Sequence, residues 1–152
     1  MTITAGTLRT GHVGLNVTDV ERSLAFYRDA LGFELLGEGK EEGRRFAFLG
    51  RDGALVLTLW QQAQDRFTPQ AAGLHHLAFS AGAIEEVRAY EERLRGLGVD
   101  FAHEGVVAHR EGAASGGIFF HDPDGTRLEI SVPTGAEDAP APSASAPTCG
   151  FF

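Results

Sequence analysis

The sequence has a single cysteine, Cys149, no run of basic residues and no long apolar segment in its 152 residues. One thiol excludes an internal disulfide and a zinc site built from several thiolates. With 13 Lys and Arg and a net charge of −8, the composition argues against nucleic acid or an anionic membrane as the main partner. No segment approaches the ~20 apolar residues that span a bilayer, and the N-terminus does not resemble a secretory signal. We therefore expect a cytoplasmic protein whose partner is a small molecule or another protein, and neither nucleic acid nor a membrane.

The chain divides by composition into one domain and a C-terminal segment. Residues 133–152, PTGAEDAPAPSASAPTCGFF, contain four of the six prolines and few large apolar residues. Such a composition is typical of a flexible tail rich in Pro, Ala and Ser. Residues 1–132 have the size of one domain with its own core.

Two amphipathic helices separate short strands in the domain. Thr18 and Glu21 form a capping-box pattern that predicts the first helix, and Gly32 is placed to end it. Apolar residues at helical spacing predict the second helix from Ile84 to Leu97. Alternating apolar stretches predict eight strands, at HVGLNV, FELLGE, RRFAFLG, ALVLTLW, HHLAFS, VDFAHE, GGIFFH and RLEISV.

The two halves of the domain repeat one pattern. HVGLNV and a helix followed by LGFEL correspond to HLAFSA and a helix followed by LGVDF, with His12 and His76 sixty-four positions apart. The hairpin GRDGALVL then corresponds to DPDGTRLE, which pairs Leu57 with Glu129. The sequence therefore predicts an α+β fold of two tandem β-α-β-β-β modules, about 8–62 and 73–132.

Two places in the second module carry unusual polar residues. Glu129 stands between Leu128 and Ile130 in a core strand, where a carboxylate is rarely buried unless it is paired or bound to a metal. His75 and His76 are adjacent, so strand alternation lets only one of them face the interior. A histidine in a strand is ordinarily a hydrogen-bonded structural residue, which is the alternative to a ligand.

The repeated module, with HVGLNVTDVERSLAFYRDALGF first, GLHHLAFS in the middle and FFHDPDGTRLEIS last, resembles the vicinal oxygen chelate superfamily of glyoxalases, extradiol dioxygenases and bleomycin resistance proteins. The resemblance implies a curved, eight-stranded open barrel with helices outside, a homodimer, and a divalent metal. It implies the metal ligands His12, His76 and Glu129, with Leu57 in a fourth place that cannot coordinate. Two histidines and one carboxylate leave open positions and suit Fe(II) or Mn(II), with Zn(II) and Ni(II) as further candidates.

The three-ligand set implies a metal-dependent enzyme whose substrate chelates the metal through vicinal oxygens, and a dioxygenase-like site is favoured. Phe119 stands where such dioxygenases carry a tyrosine, and no Lys or Arg follows Glu129 to hold a phosphonate, as in the fosfomycin enzymes. A glyoxalase-type lyase and a metal-free antibiotic-binding protein are the alternatives. His121 shares the strand parity of Glu129 and is expected either to line the site as a base or to be a turn histidine. His103 and His109 are expected to be ordinary loop histidines.

Overall fold

A computed structural model describes residue 2 and residues 5–150, which form two compact units, Met1–Asp65 and Arg66–Phe152. Each unit has the predicted β-α-β-β-β order, which confirms the two tandem modules and the α+β class. Closure of the strands into one open barrel stays a prediction. Within the described residues, no helix has the length and hydropathy of a membrane span, and the cytoplasmic location stays a prediction.

The first unit begins with a 3-10 turn at Ala5–Thr7. Its further elements are β1 (Val13–Asn16), α1 (Val20–Ala25, continued as a π-helical turn at Phe26–Ala30), β2 (Glu34–Gly39), β3 (Phe46–Arg51) and β4 (Ala54–Trp60). The elements of the second unit are β5 (Leu77–Ser80), α2 (Ile84–Gly96), β6 (Val107–Ala108), β7 (Gly116–His121) and β8 (Arg127–Val132).

The first unit is a four-stranded sheet in the order β1-β4-β3-β2, with β1 parallel to β4 and the other pairs antiparallel. Side chains on one face are fully buried, because α1 contacts β3 and β4. Leu49, Leu57 and Leu59 lie on this face, each with no exposed surface. Burying such a side chain stabilises the fold by roughly 1.5–3 kcal/mol.

Helix α1 begins at a cap one residue later than the sequence pattern predicts. The Asp19 carboxylate accepts hydrogen bonds from the backbone N–H of Glu21 at 3.0 Å and of Arg22 at 3.1 Å. Thr18 instead accepts from the Arg22 guanidinium at 2.9 Å. Asp19 is thus the cap, because its oxygen reaches two N–H groups that have no partner within the helix. The helical segment ends as predicted at Gly32, whose φ of 79° suits glycine.

A β-bulge shifts the register of the first hairpin. The turn at Asp52 and Gly53 has positive φ at both residues, as a tight hairpin turn of this dipeptide requires. Leu49 pairs with Leu57, but Gly50 pairs with Leu55, so one extra residue enters β4. Counting residues from the turn therefore does not give equivalent positions in the two hairpins.

The strand pairings identify the true counterpart of Glu129 in the first unit. Gly14 of β1 pairs with Thr58, and the equivalent residue of β5, Ala78, pairs with Glu129. Thr58, not Leu57, therefore corresponds to Glu129, and the alignment predicted from the sequence is wrong by one residue. Leu57 lies on the opposite face of its strand, in the helix-covered core.

The second unit has the matching order β5-β8-β7-β6, and α2 contacts β7 and β8. Only a single bridge, between Phe101 and Phe120, forms where the sequence predicts the strand VDFAHE. The chain leaves the sheet after this bridge, turns at Gly105 with a φ of 69°, and pairs again at β6. The edge strand is consequently shorter and later than predicted.

The segment after β8 follows the edge of the second unit. Ala136 donates its N–H to the Ala114 carbonyl at 2.9 Å, and the Pro140 carbonyl accepts from Ala108 N–H at 2.9 Å. Thr148 is buried and donates its backbone N–H to the His109 carbonyl, also at 2.9 Å. The predicted flexible tail thus has defined hydrogen-bond partners in β6 and in the loop that follows it, and its flexibility stays a prediction.

Candidate metal centre

His76 and Glu129 come together in the second unit. His76 directly precedes β5, and Glu129 lies in the middle of the neighbouring parallel strand β8. The His76 Nε2 and Glu129 Oε2 atoms are 3.6 Å apart, which is too long for a hydrogen bond. Two ligands of one tetrahedral zinc ion would be separated by about 3.4 Å. The observed spacing fits two ligands of a shared ion.

The other oxygen of Glu129 is held by a histidine that the sequence did not single out. His109 Nε2 lies 2.5 Å from Glu129 Oε1, and His109 Nδ1 lies 3.0 Å from the Ser115 hydroxyl. Because an ionised carboxylate only accepts hydrogen bonds, His109 carries its proton on Nε2. His109 directly follows β6 and is half-buried, which corrects its expected role as an ordinary loop residue. No spacing rule in the sequence connects it with Glu129.

The ring of His76 is oriented by its neighbour. The Nδ1 atoms of His75 and His76 are 2.8 Å apart, and the Arg127 guanidinium lies 3.3 Å from His75 Nε2. Which of the two Nδ1 atoms carries the shared proton depends on the tautomers of the two rings. Their contact fixes the orientation of the His76 ring, so His75 does more than face outward.

The charge state of His76 suits a ligand. Burial lowers the pKa of His76, and the nearby Glu129 carboxylate opposes this effect without cancelling it. The lowered pKa favours the neutral imidazole, the form that binds metal ions. Glu129 is only 3% exposed, and a carboxylate so deeply buried requires compensating partners.

The first unit contains the third predicted ligand. His12 directly precedes β1, just as His76 directly precedes β5, and its side chain is exposed. Its role as a ligand stays a prediction. Thr58, at the position that corresponds to Glu129, is 2% exposed, and its hydroxyl accepts from the Trp60 indole N–H at 2.9 Å. A neutral hydroxyl with this bond is a poor substitute for a fourth carboxylate ligand.

His121 stands at the end of β7 with its own acidic neighbour. Its Nδ1 lies 3.0 Å from an Asp100 carboxylate oxygen. Strand alternation puts His121 on the same face as Phe119, which pairs directly with Glu129. This agrees with the expected strand parity, while a catalytic role for His121 stays a prediction.

The C-terminal segment brings a thiol to the pair. A ligand atom of each of His76, Glu129 and Cys149 lies within 4.8 Å of the other two. Burial, together with the Glu129 charge, raises the pKa of the Cys149 thiol. The sequence gives no sign of this contact, because a segment of this composition is typically a free tail and nothing in it indicates where the segment docks.

These residues fit a divalent metal. A neutral imidazole nitrogen and a buried carboxylate oxygen face each other across a gap of ionic size, and each is oriented by a partner on its far side. Such outer partners are typical of protein metal sites. His76 and Glu129 would hold the ion in this unit.

Sequence similarity agrees with the fold. Residues 9–130 match the family model of the Glyoxalase/Bleomycin resistance protein/Dioxygenase superfamily, so the chain belongs to that superfamily. A lactoylglutathione lyase of Haemophilus influenzae is 32% identical over 129 residues, which cover 78% of this chain and 88% of that protein. The resemblance to the vicinal oxygen chelate proteins is thereby confirmed.

Solved structures share the fold. A glyoxylase/bleomycin resistance protein/dioxygenase domain from Frankia sp. EAN1pec superposes with a TM-score of 0.71 and 26% identity, covering 83% of this chain and 98% of that one. The fosfomycin resistance protein FosX of Listeria monocytogenes, complexed with Mn(II) and sulfate, gives a TM-score of 0.61 and 25% identity, with coverage of 86% and 96%. The superfamily includes metal-dependent glyoxalases, dioxygenases and fosfomycin resistance enzymes.

Proposed function

We propose that the protein is a divalent-metal-dependent enzyme that acts on a small substrate through two vicinal oxygens, with His12, His76 and Glu129 as metal ligands. The observation that carries this proposal is the 3.6 Å separation of His76 Nε2 and Glu129 Oε2. A bound ion would supply Lewis-acid polarisation of the chelating oxygens. Fe(II) or Mn(II) suits two imidazoles and a carboxylate, and the similarity to a Mn(II)-bound protein supports Mn(II).

The chain's own residues prepare the site. His109 donates to Glu129 Oε1, which leaves Oε2 directed at His76. Phe119 has no exposed surface and lies directly across the strand pair from Glu129, where it excludes water from the carboxylate. Its ring offers no proton to a substrate. Of the described side chains in hydrogen-bond contact with Glu129, His109 is the one able to hold or move a proton.

The ligand count favours a dioxygenase-like, three-ligand reaction over simple isomerisation. A fourth carboxylate would take a coordination position and supply a base, but Thr58 stands at the corresponding place and is hydrogen-bonded to Trp60. The 32% identity to a lactoylglutathione lyase keeps a glyoxalase-type lyase as the alternative reaction.

A metal-free function has one observation in its favour. Phe46, Phe48 and Trp60 form a cluster on the face of the first sheet opposite α1, with ring centroids 5.1–5.9 Å apart. Trp60 remains 37% exposed. A half-exposed aromatic cluster suits stacking of a flat ligand, so an antibiotic-binding protein is the second candidate function.

Metal content distinguishes the two functions. We expect the parent, purified without chelators and loaded with Mn(II), to hold one ion per chain by elemental analysis. Glu129→Ala and His76→Ala should lose it, whereas the helix-surface control Glu85→Ala should keep it. Oxygen uptake and thiol transfer measured on loaded protein then separate a dioxygenase from a lyase. A parent that binds no divalent ion, but whose tryptophan fluorescence responds to an aromatic antibiotic, would support the second function.

We also propose a homodimer, because paired modules leave sheet edges that a second subunit covers. In the described sheets the edge strand β2 pairs on one side only, whereas the outer edge of β6 is covered by the C-terminal segment. Light scattering should give twice the chain mass of 16.2 kDa. A mass of one chain at micromolar concentration would contradict the dimer.

A further inference from the structure

We propose that Cys149 is a ligand that the C-terminal segment supplies to the His76–Glu129 site, so that the segment closes this site over a thiophilic divalent ion. The inference rests on the proposed metal function, and it adds a ligand and a closed state. The ion would be Zn(II) or a similar borderline metal, because imidazole, carboxylate and thiolate together match its ligand preferences.

Geometry carries the argument. The three ligand atoms lie within 4.8 Å of one another, with the imidazole and carboxylate already at 3.6 Å. Zn–S, Zn–N and Zn–O bonds of roughly 2.0–2.3 Å place tetrahedral ligands about 3.3–3.7 Å apart. A shift of the thiol by about one ångström, within reach of a cysteine rotamer change, therefore completes the set.

The position of the thiol is fixed by its neighbour in the chain. Thr148 is 4% exposed and makes two hydrogen bonds to β6 and the residue after it. Its N–H reaches the His109 carbonyl at 2.9 Å, and its hydroxyl reaches the Ala108 carbonyl at 2.5 Å. Cys149 follows directly and is held beside the site, rather than sampling the range of a free tail.

His109, directly after β6, contacts both the carboxylate of the site and the C-terminal segment. The side chain of His109 binds the Glu129 carboxylate, while its backbone carbonyl binds Thr148. Earlier in the segment, Ala136 bonds to Ala114 and Pro140 bonds to Ala108, which lie on either side of His109 in the chain. Docking of the segment and orientation of the carboxylate therefore depend on one structural element.

A closed site has a functional consequence. The thiolate would take a coordination position that a chelating substrate needs, so the segment must move aside before the substrate binds. The docked segment then competes with the substrate for this coordination position and retains the metal. Its removal should weaken metal binding and strengthen binding of a chelating ligand.

Cobalt absorption tests this directly, because Cys149 is the only thiol in the chain. With Co(II) alone added to the full chain, we expect the near-ultraviolet absorption of a thiolate bound to cobalt. Cys149→Ser should abolish this band and weaken Co(II) binding roughly tenfold or more. His76→Ala keeps the thiol and should also lose the band, and Thr148→Val should reduce it. The control Ser143→Ala, in the same segment, should keep it.

The outcomes separate this proposal from the function on which it rests. Equilibrium dialysis is run beside the absorption measurement. One bound Co(II) per chain without the thiolate band overturns the closed site and leaves the proposed metal enzyme intact. No bound Co(II) in the parent overturns both. A full band in His76→Ala overturns the closed site, because the thiol then binds cobalt elsewhere. As a second readout, Zn(II) should slow alkylation of Cys149 in the parent and not in His76→Ala.

Discussion

His109 Nε2 lies 2.5 Å from Glu129 Oε1, which makes a histidine outside the expected ligand set the principal partner of the buried carboxylate. The bond takes one oxygen of Glu129 and leaves the other facing His76. Ser115 in turn orients the His109 ring. The carboxylate is therefore placed by a loop that follows an edge strand, as well as by its own strand.

Removal of this partner should weaken the metal site without removing a ligand. We expect His109→Ala to lower Mn(II) affinity by about 10–100-fold, because outer partners of metal ligands typically contribute that much. His109→Gln keeps a side-chain N–H donor and should restore part of the affinity. Titration calorimetry with Mn(II) measures both variants. Parent-like affinity in His109→Ala would show that Glu129 needs no orienting partner.

The cap of α1 provides a stability prediction with a matched control. Asp19→Ala removes the acceptor for two backbone N–H groups and should lower the free energy of unfolding by about 1 kcal/mol. Thr18→Ala removes an exposed contact to Arg22, so its effect should be within about 0.5 kcal/mol. Urea denaturation measures the difference. Equal losses of unfolding free energy, or a larger loss in Thr18→Ala, would show that Thr18 is the cap.

His103 should make the metal-free protein sensitive to mild acid. Burial lowers its pKa below the ordinary 6.5, so the unfolded chain binds a proton more readily than the folded one. Stability from this group is complete above pH 6.5 and is lost as pH falls toward the lowered folded pKa. Replacement by Gln removes the titration and should flatten the pH dependence in that window. Denaturation of metal-free parent and His103→Gln at several pH values tests this, and identical slopes would contradict it.

The sequence predicted the parts of this protein that repeat. Hydrophobic periodicity and two Asp-Gly dipeptides were enough for the module order, because they act over a few neighbouring residues. They also gave the correspondence of His12 with His76, which the strand pairings support. Glu129 stood out because a carboxylate among apolar strand residues is physically unusual.

The rest depended on geometry that local patterns do not encode. Because β4 contains one extra residue, counting from the turn selects Leu57 instead of Thr58 as the counterpart of Glu129. A bulge leaves no clear mark in the apolar alternation of a strand. His109 and Cys149 reach Glu129 only because a loop and a Pro-rich segment dock on one sheet edge. Contacts between residues far apart in sequence are decided by tertiary packing.

The register correction gives the sharpest paired test. Thr58→Glu puts a carboxylate at the place that corresponds to Glu129, on the face that carries Trp60 and Phe48. Without metal it should destabilise the fold, because it buries a charge and breaks the bond to the indole N–H. If the proposed site is correct, a divalent ion should raise the melting temperature of this variant more than that of the parent.

Leu57→Glu is the matched control on the same strand. Leu57 has no exposed surface and faces the helix-covered core, so a carboxylate there should cost roughly 4 kcal/mol or more, with no metal to compensate. Thermal unfolding with and without Mn(II) compares the two variants. A metal-dependent gain in Leu57→Glu, with none in Thr58→Glu, would mean that the residue count from the turn was right and that the strand pairing assigned here was wrong.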